Sequence, residues 1–220
     1  MEYHADSQNI NTPHTEQEDF WAGEFGNEYV ERNKNEHYVA DSLAFFSKVI
    51  ARTQRVNKIL ELGANVGLNL MALKNLLPNA ELSAVEINEK AALALKRNVP
   101  DVDIYQKAIV DFTSNEVWDF IFTKGVLIHI NPEQLPKVYE LMYQKSSRYI
   151  LIAEYYNQTP IEISYRGHSG KLFKRDFAGE MLTQYPHLSL VDYGFIYHGD
   201  TNFPQDDITW FLLEKINIES

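Results

Sequence analysis

Glycines and carboxylates stand at the ends of the first two predicted strands, in a pattern that favours the binding of a nucleoside. The turn Glu61-Leu-Gly63-Ala-Asn65-Val-Gly67 follows the first strand, and Glu86 ends the second, roughly twenty residues later. Gly63 allows a tight exit from the strand, and Gly67 allows the helix to approach a ligand closely. A carboxylate at Glu86 is placed to accept both hydroxyls of a ribose. The alternative interpretation is that the glycines only serve a sharp strand-to-helix turn.

The acid two residues before the first glycine distinguishes between nucleoside cofactors. Dinucleotide-binding folds use G-x-G-x-x-G, which places a pyrophosphate over the helix N-terminus. The turn here is G-x-N-x-G, and it is preceded by Glu61. That carboxylate would repel a pyrophosphate, whereas it suits the ammonium group of a methionine moiety. The residues therefore favour S-adenosylmethionine over NAD.

Two residues near the ends of later strands are candidates for moving a proton. His129 follows the fourth predicted strand and Glu154 ends the fifth. A histidine titrates near neutral pH, and a carboxylate at the mouth of the sheet could serve as a general base. The alternatives are a histidine satisfied by local hydrogen bonds and a glutamate held in a salt bridge or cap.

Basic and aromatic residues cluster after the fifth strand, between residues 155 and 175. Arginine is a natural bidentate partner for a carboxylate or phosphate, so we expect this segment to bind an anionic acceptor. The alternative is a solvated surface loop. The expected acceptor contacts are Tyr155, Tyr156, Tyr165, Arg166, His168, Lys171 and Arg175.

Alternating strands and helices must position these groups. Strands are predicted at 58–62, 81–86, 102–105, 119–122, 148–153, 188–197 and 208–215, with helices between all but the last two. Such a series predicts an α/β fold with a mainly parallel, doubly wound sheet. The Gly/Asp/Asn/Pro-rich loop 198–207 lets the last strand run antiparallel. The pattern indicates a seven-stranded, Rossmann-like sheet.

The chain divides into three predicted parts. Residues 1–14 are polar and are expected to form a disordered tail. Residues 15–57 form a helical cap, opened by Thr15 and Glu18 at capping-box spacing and interrupted at 23–29, which is too glycine-rich to continue a helix. Residues 58–220 form the core, with an irregular acceptor-binding insertion at 155–175.

Charge and composition exclude several classes of function. The 220 residues carry a formal net charge of −11, which disfavours nucleic acids and anionic membranes as partners. The absence of cysteine excludes disulfides, Cys-ligated metals and thiol nucleophiles, and no metal is expected. Neither a signal peptide nor a membrane span is predicted, so a soluble, cytoplasmic protein is expected.

Several segments resemble class I S-adenosylmethionine-dependent methyltransferases. Among these, they are similar to the methylases associated with the biosynthesis of pseudaminic acid, a nine-carbon sugar acid of bacterial surface glycans. The resemblance rests on FWAGEFGNEY (20–29), ILELGANVGLNLMALK (59–74), VEINEKAA (85–92), KGVLIHINPE (124–133) and EYYNQTP…YRGH…LFKRDFAGE (154–180).

The resemblance implies an enzyme with S-adenosylmethionine as cofactor and a nonulosonic sugar acid, or its precursor, as substrate. Glu61, Gly63 and Gly67 would form the methionine-side turn, in which Asn65 replaces the middle glycine of the family. The remaining implied cofactor contacts are Glu86 with the ribose, Ile87, Ala108 and Ile109 with the adenine, Thr123 at the end of the fourth strand, and Trp21 and Tyr29 in a lid.

Two other classes of function stay open at this stage. One is a Rossmann oxidoreductase that binds NAD, and the other is a catalytically silent cofactor-binding partner of a glycan-pathway complex. The acceptor atom, nitrogen or oxygen, and the oligomeric state are not determined by the sequence.

Overall fold

A computed structural model describes residues 15–32 and 37–216. Its α-helices are α1 (Glu16–Ala22), α2 (Glu24–Arg32), α3 (His37–Ile50), α4 (Leu68–Leu76), α5 (Glu89–Asn98), α6 (Leu135–Lys145) and α7 (Phe177–Gln184). Its strands are β1 (Lys58–Leu62), β2 (Glu81–Val85), β3 (Asp103–Tyr105), β4 (Trp118–Lys124), β5 (Ser146–Glu154), β6 (Ile161–Tyr165), β7 (His168–Lys174), β8 (Leu188–Ile196) and β9 (Ile208–Lys215). The predicted tail, 1–14, lies outside the described residues.

Seven strands form one sheet in the order β3-β2-β1-β4-β5-β9-β8. The pairs among β1 to β5 are parallel, and β9 runs antiparallel to both β5 and β8. The strand order reverses between β1 and β4, where Glu61 pairs with Phe122. The predicted α/β fold with a seven-stranded sheet and an antiparallel last strand is confirmed.

Helices cover both faces of the sheet because its central strands carry apolar side chains on both sides. Phe46 of α3 and Leu73 of α4 pack with Ile59 and Phe122 on one face. Val138 of α6 and Met181 of α7 belong to the cluster on the other face. Burial of each large apolar side chain contributes about 1.5–3 kcal/mol, so the two clusters hold the strand ends in fixed relative positions.

The N-terminal cap differs from the prediction in one place. The capping box is present: the backbone N–H of Glu18 donates to Thr15 Oγ1 at 3.2 Å, and that of Thr15 donates to Glu18 Oε2 at 2.6 Å. The interruption predicted at 23–29 is wrong, because α2 begins at Glu24, directly after the Gly23 cap of α1. Gly26 lies inside α2 where a Cβ would collide with the carbonyl of Trp21, so glycine lets the two helices meet.

The insertion at 155–175 is also more regular than predicted. Strands β6 and β7 form an antiparallel hairpin, a two-stranded sheet separate from the main one. Its tip is Arg166-Gly167, and both residues have positive φ, 50° and 86°. Two consecutive positive φ values at a two-residue loop match the right-handed twist of a hairpin. The segment 155–175, for which an irregular structure is predicted, therefore contains a regular β-hairpin.

No helix in the described ranges is both long and apolar enough to cross a membrane.

Candidate functional site

A cavity of about 720 Å³ opens at the carboxyl edge of the sheet, above β1, β2 and β4. Its floor is formed by the turns after these strands, and α1 and α2 contribute one wall. Ligands of open α/β sheets bind at this edge, at the point where the strand order reverses. The cavity is large enough for a nucleoside-sized molecule together with a small second molecule.

The turn after β1 lies against the cavity through Gly63 and Asn65. Asn65 adopts a left-handed conformation, with φ of 48°, and its backbone N–H donates to Glu86 Oε2 at 2.7 Å. Its side-chain Oδ1 is buried and has no partner among the described residues. Asn65 therefore takes the conformation of the glycine it replaces and adds a polar atom at the cavity.

Gly67 does not line the cavity, contrary to its predicted role beside the ligand. It stands at the N-terminus of α4 with φ of 86°, and a Cβ there would collide with Leu95 of α5. The glycine is required because α4 and α5 pack closely at this point, so its role is in helix packing and not in contact with the cavity.

Glu61 is almost fully buried below the turn, with 1% of its surface exposed. Its Oε1 accepts a hydrogen bond from Asn69 Nδ2 at 2.7 Å, whereas Oε2 has no partner among the described residues. Burial raises the pKa of Glu61 to about 8. The side chain is not on the cavity wall itself, but Asn69 is. Glu61 is therefore a buried acid with one unsatisfied oxygen next to the cavity.

Glu86 reaches the cavity from the end of β2 and is held in place by the backbone. Its Oε1 accepts from the N–H of Asn88 at 2.8 Å, in addition to the bond from Asn65 to Oε2. Burial raises the pKa of Glu86, and these backbone donors oppose that shift. Ile87, Ala108 and Ile109, the predicted adenine contacts, also line the cavity.

Thr123 is the one predicted cofactor contact on β4, and the structure does not place it on the wall. It is fully buried, and the next residue, Lys124, lines the cavity instead. Successive side chains of a strand point to opposite faces, so a prediction that is one residue off names the buried Thr123 instead of the cavity-lining Lys124.

Aromatic residues of the cap close the cavity from above. Trp21 and Tyr29 both line it, and their ring centroids are 5.4 Å apart in an edge-to-face arrangement. The Nε1 of Trp21 is buried without a partner among the described residues. Two aromatic rings of the cap therefore lie on the cavity wall, and one of them carries a buried donor without a described partner.

His129 lies on the cavity wall and is 9% exposed. Its Nδ1 is 2.6 Å from the carbonyl oxygen of Lys171, which fixes Nδ1 as the protonated donor and leaves Nε2 as the acceptor of the neutral ring. Burial lowers the pKa of His129 to about 4. The ring also contacts Trp21 and Tyr165, at centroid distances of 4.6 and 5.0 Å.

The role predicted for Glu154 as a general base is not supported by its surroundings. The side chain is 2% exposed and does not line the cavity. Its two oxygens accept from the backbone N–H groups of Val126, Leu127 and Ile128 at 3.0–3.4 Å. Burial nevertheless raises the pKa of Glu154 to about 7. Glu154 caps the turn after β4, which was its alternative interpretation.

The basic segment is partly neutralised, and of its predicted acceptor contacts only Arg166 lines the cavity. Lys171 Nζ is 3.3 Å from Glu16 Oε2, and Arg175 Nε is 2.6 Å from Glu180 Oε1. These two cations are held by acids of neighbouring helices, so the basic residues between 155 and 175 do not form one unpaired patch.

The aromatic members of that segment also have other neighbours. Tyr165 packs on His129, and His168 lies 5.1 Å from the ring of Phe20. Tyr156 is exposed beside Phe211, and burial together with Asp206 raises the pKa of Tyr155. None of these four residues lines the cavity, so the structure gives no direct contact between them and a ligand bound there.

Several polar residues of the cavity were not predicted. They are Gln17 and Glu18 of α1, Asp41 of α3, Lys124 of β4, and Gln205 and Asp206 before β9. Lys124 had a sequence signal, since a lysine directly after four apolar or small residues of a central strand falls at the carboxyl edge. The others depend on how α1, α3 and the loop fold over the sheet.

Comparisons with known proteins define the class of fold. No protein-family model and no curated protein matches the sequence. Solved structures match along nearly the whole chain. The plantazolicin methyltransferase BpumL in complex with SAH has a TM-score of 0.65 and 13% identity, over 91% of this chain and 94% of its own.

Two further neighbours have the same fold. The N-methyltransferase NodS from Bradyrhizobium japonicum WM9, in complex with S-adenosyl-L-homocysteine, has a TM-score of 0.64 and 14% identity, over 86% of this chain and 97% of its own. The SAM-bound amino pentose methyltransferase CalS10 from Micromonospora echinaspora has a TM-score of 0.60 and 9% identity, over 87% and 96%. The chain has the Rossmann-like fold of class I methyltransferases.

Proposed function

We propose that the protein is an S-adenosylmethionine-dependent methyltransferase whose acceptor is a small anionic sugar, a nonulosonic acid or its precursor in surface-glycan biosynthesis. One observation carries the cofactor part. Buried polar atoms without a partner among the described residues belong to four residues that line a single cavity, as Gln17 Oε1, Glu18 Oε1, Trp21 Nε1 and Asn65 Oδ1, and Glu61 Oε2 lies behind the lining residue Asn69. Unsatisfied buried groups are rare, and a cluster of them indicates a site built for a polar ligand.

The residues fit the two ends of this cofactor. Glu86 would accept the ribose hydroxyls, with Ile87, Ala108 and Ile109 against the adenine. At the other end, Glu61 Oε2 would accept from the ammonium group of the methionine moiety, next to Asn69. When bound, the cofactor supplies a methyl group on a positively charged sulfur, which is already activated for transfer.

The same residues disfavour a dinucleotide. A pyrophosphate over the turn would need free backbone donors, but the N–H of Asn65 is already donated to Glu86. The donor that would hold a phosphate oxygen at this point is therefore taken. The NAD alternative is therefore not favoured by any observation at the site.

The chain's own work is alignment and exclusion of water. Trp21 and Tyr29 cover the cavity, and their ring faces would attract a positively charged sulfur. His129 presents Nε2, which would accept a hydrogen bond from the attacking hydroxyl or amine and orient it. A pKa of about 4 makes this imidazole a weak base at neutral pH, so its proposed role is to orient.

The anionic acceptor rests on Arg166. The residue stands at the tip of the β6–β7 hairpin and lines the cavity. A planar guanidinium binds a carboxylate in bidentate fashion, which suits a sugar acid. The amino pentose methyltransferase among the structural neighbours supports a sugar as acceptor for this fold.

The full chain should be incubated with methyl-labelled S-adenosylmethionine and two probe acceptors, N-acetylneuraminic acid and its cytidine monophosphate ester. The expected result, by mass spectrometry, is a labelled probe that gains one methyl group. Binding of S-adenosylhomocysteine without transfer to either probe would overturn the sugar-acid part and favour a silent partner. Failure to bind it would overturn the cofactor part.

A further inference from the structure

We propose that Lys124 is the base that takes the proton from the acceptor as the methyl group is transferred. The inference rests on the proposed function and deepens it, since it assigns a catalytic role to a residue that the sequence pattern did not indicate. Lys124 is the last residue of β4, next to the point where the strand order reverses.

The amine of Lys124 is available to a ligand. The side chain lines the cavity, is half-buried, and makes no hydrogen bond or ion pair with another described residue. Two cations of the neighbouring hairpin segment are occupied, since Lys171 and Arg175 contact Glu16 and Glu180. A lysine left without a partner in a ligand cavity is unusual, because a buried charge is normally paired.

The surrounding groups would stabilise the proton once it arrives. Carboxylates act on Lys124 from each neighbouring element, namely Glu61 of β1, Asp41 of α3, Glu154 of β5 and Asp206 of the loop before β9. The cavity wall also carries Glu18, Glu86, Lys107, His129, Arg166 and His198. Burial lowers the pKa of Lys124 although these acids raise it, so a larger fraction of neutral amine is present than for a surface lysine.

The proton and the charges balance. The O–H or N–H bond of the acceptor breaks, and its electron pair forms the bond to the methyl carbon. The carbon–sulfur bond breaks and its pair remains on sulfur, while the proton passes to Lys124 Nζ. One positive charge is lost at sulfur and one appears on the ammonium, so the four acids face one positive charge before and after. Lys124 then returns the proton to solvent through the open cavity.

The other candidates for this role are weaker. Glu154 has both oxygens on backbone N–H groups, and the pKa of His129 is lowered to about 4. A cationic anchor for an anionic acceptor is the remaining interpretation of Lys124. Arginine would preserve an anchor but cannot act as a base near neutral pH, so the two roles can be separated.

A first test needs no acceptor. The lysines of the full chain are converted to ¹³C-dimethyl-lysine, and the resonance of Lys124 is assigned by its loss in Lys124→Arg. We expect its titration midpoint to lie below that of the exposed Lys90, and to fall further with S-adenosylmethionine than with S-adenosylhomocysteine, because only the first carries the positive sulfur. A midpoint equal to that of Lys90 and unchanged by either molecule would overturn the proposal.

A second test compares turnover of the probe acceptor by Lys124→Met, Lys124→Arg and the surface control Lys90→Met. Both Lys124 variants should lose about 10²-fold or more in kcat, the usual range for loss of a general base. Their affinity for S-adenosylhomocysteine should stay within about threefold of wild type, which also verifies the fold. Retained turnover in Lys124→Arg would show an anchor and overturn the proposal.

The two proposals fail in different ways. If the wild type transfers no methyl group to either probe, the acceptor assignment fails and the titration alone decides on Lys124. If the wild type is active and Lys124→Met is equally active, the function stands and the base assignment is wrong.

Discussion

At the scale of single residues, two buried glutamates near the carboxyl ends of β1 and β5 have different surroundings. Glu154 satisfies three backbone N–H groups, whereas Glu61 has one oxygen on Asn69 and one without a described partner. Burial raises the pKa of both, to about 7 and about 8. A raised pKa is therefore not enough to assign a catalytic role, and the hydrogen bonds decide which acid is free for a ligand.

Glu154→Ala should destabilise the protein by about 1–3 kcal/mol, because it leaves buried N–H groups without an acceptor. The stability of Glu154→Gln should lie between those of the wild type and Glu154→Ala, since glutamine keeps one accepting oxygen. The measurement is the free energy of unfolding in urea. The exposed Glu140→Ala serves as control, with a change within about 0.5 kcal/mol. Unchanged stability with abolished methyl transfer would instead restore Glu154 as a base.

Glu61 predicts a pH dependence of cofactor binding. With a pKa of about 8, its carboxyl is mainly protonated at pH 6, and binding an ammonium group requires the ionised form. The affinity for S-adenosylhomocysteine should therefore rise from pH 6, by up to about tenfold per unit, and level off near pH 8. Calorimetry in buffers of different ionisation enthalpy should show proton release.

The control for this prediction is Glu61→Gln, which should bind more weakly and with little dependence on pH over the same range. An affinity that falls between pH 6 and 8 would contradict the assigned partner of Glu61.

At the scale of elements, the parts that follow from local pattern were predictable and the parts set by distant contacts were not. The strands of the core, the cap of α5 at Asn88 and the capping box of α1 all carry short-range signals, and they form as predicted. The β6–β7 hairpin also had a signal, the alternation of Ile161, Ile163 and Tyr165, which the many charges of the segment obscured. The start of α2 at Glu24 had no such signal, because the use of Gly26 for close approach to Trp21 of α1 is visible only in the folded chain.

The hairpin tip allows charge and backbone shape to be tested separately. Arg166 and Gly167 both have positive φ, and asparagine is favoured at the first of these positions. Arg166→Asn should keep the hairpin and the affinity for S-adenosylhomocysteine, but weaken binding of N-acetylneuraminic acid by about tenfold or more. Arg175→Asn, which removes a cation paired off the cavity, should leave acceptor binding unchanged.

Gly167→Ala tests the backbone alone. No atom lies within 4 Å of the added Cβ, so the cost is the left-handed conformation itself, about 1–2 kcal/mol. We expect local loosening of β6 and β7, seen as faster amide exchange there, with the sheet core unchanged.

For the charge of the hairpin tip, equal acceptor binding in Arg166→Asn and the wild type would contradict the role of the guanidinium.

At the scale of the whole molecule, the site is assembled from segments that are far apart in sequence. Lys171 pairs with Glu16 across 155 positions, and Gln17 Nε2 donates to the carbonyl of Gly170 at 2.9 Å. These contacts join the cap to the hairpin and neutralise part of the basic segment. The net charge of −11 disfavours polyanions for the surface as a whole, but only the folded chain shows which cations line the cavity. Arg166 and Lys124 are the two on which the proposed acceptor chemistry depends.

Calorimetric titration of the full chain with S-adenosylhomocysteine and, separately, with NAD shows which cofactor the cavity binds. We expect one S-adenosylhomocysteine per chain, bound in the micromolar range or tighter, with NAD not bound. Glu86→Ala should weaken that binding by about tenfold or more, because the ribose loses its acceptor. Saturable binding of NAD without binding of S-adenosylhomocysteine would contradict the account.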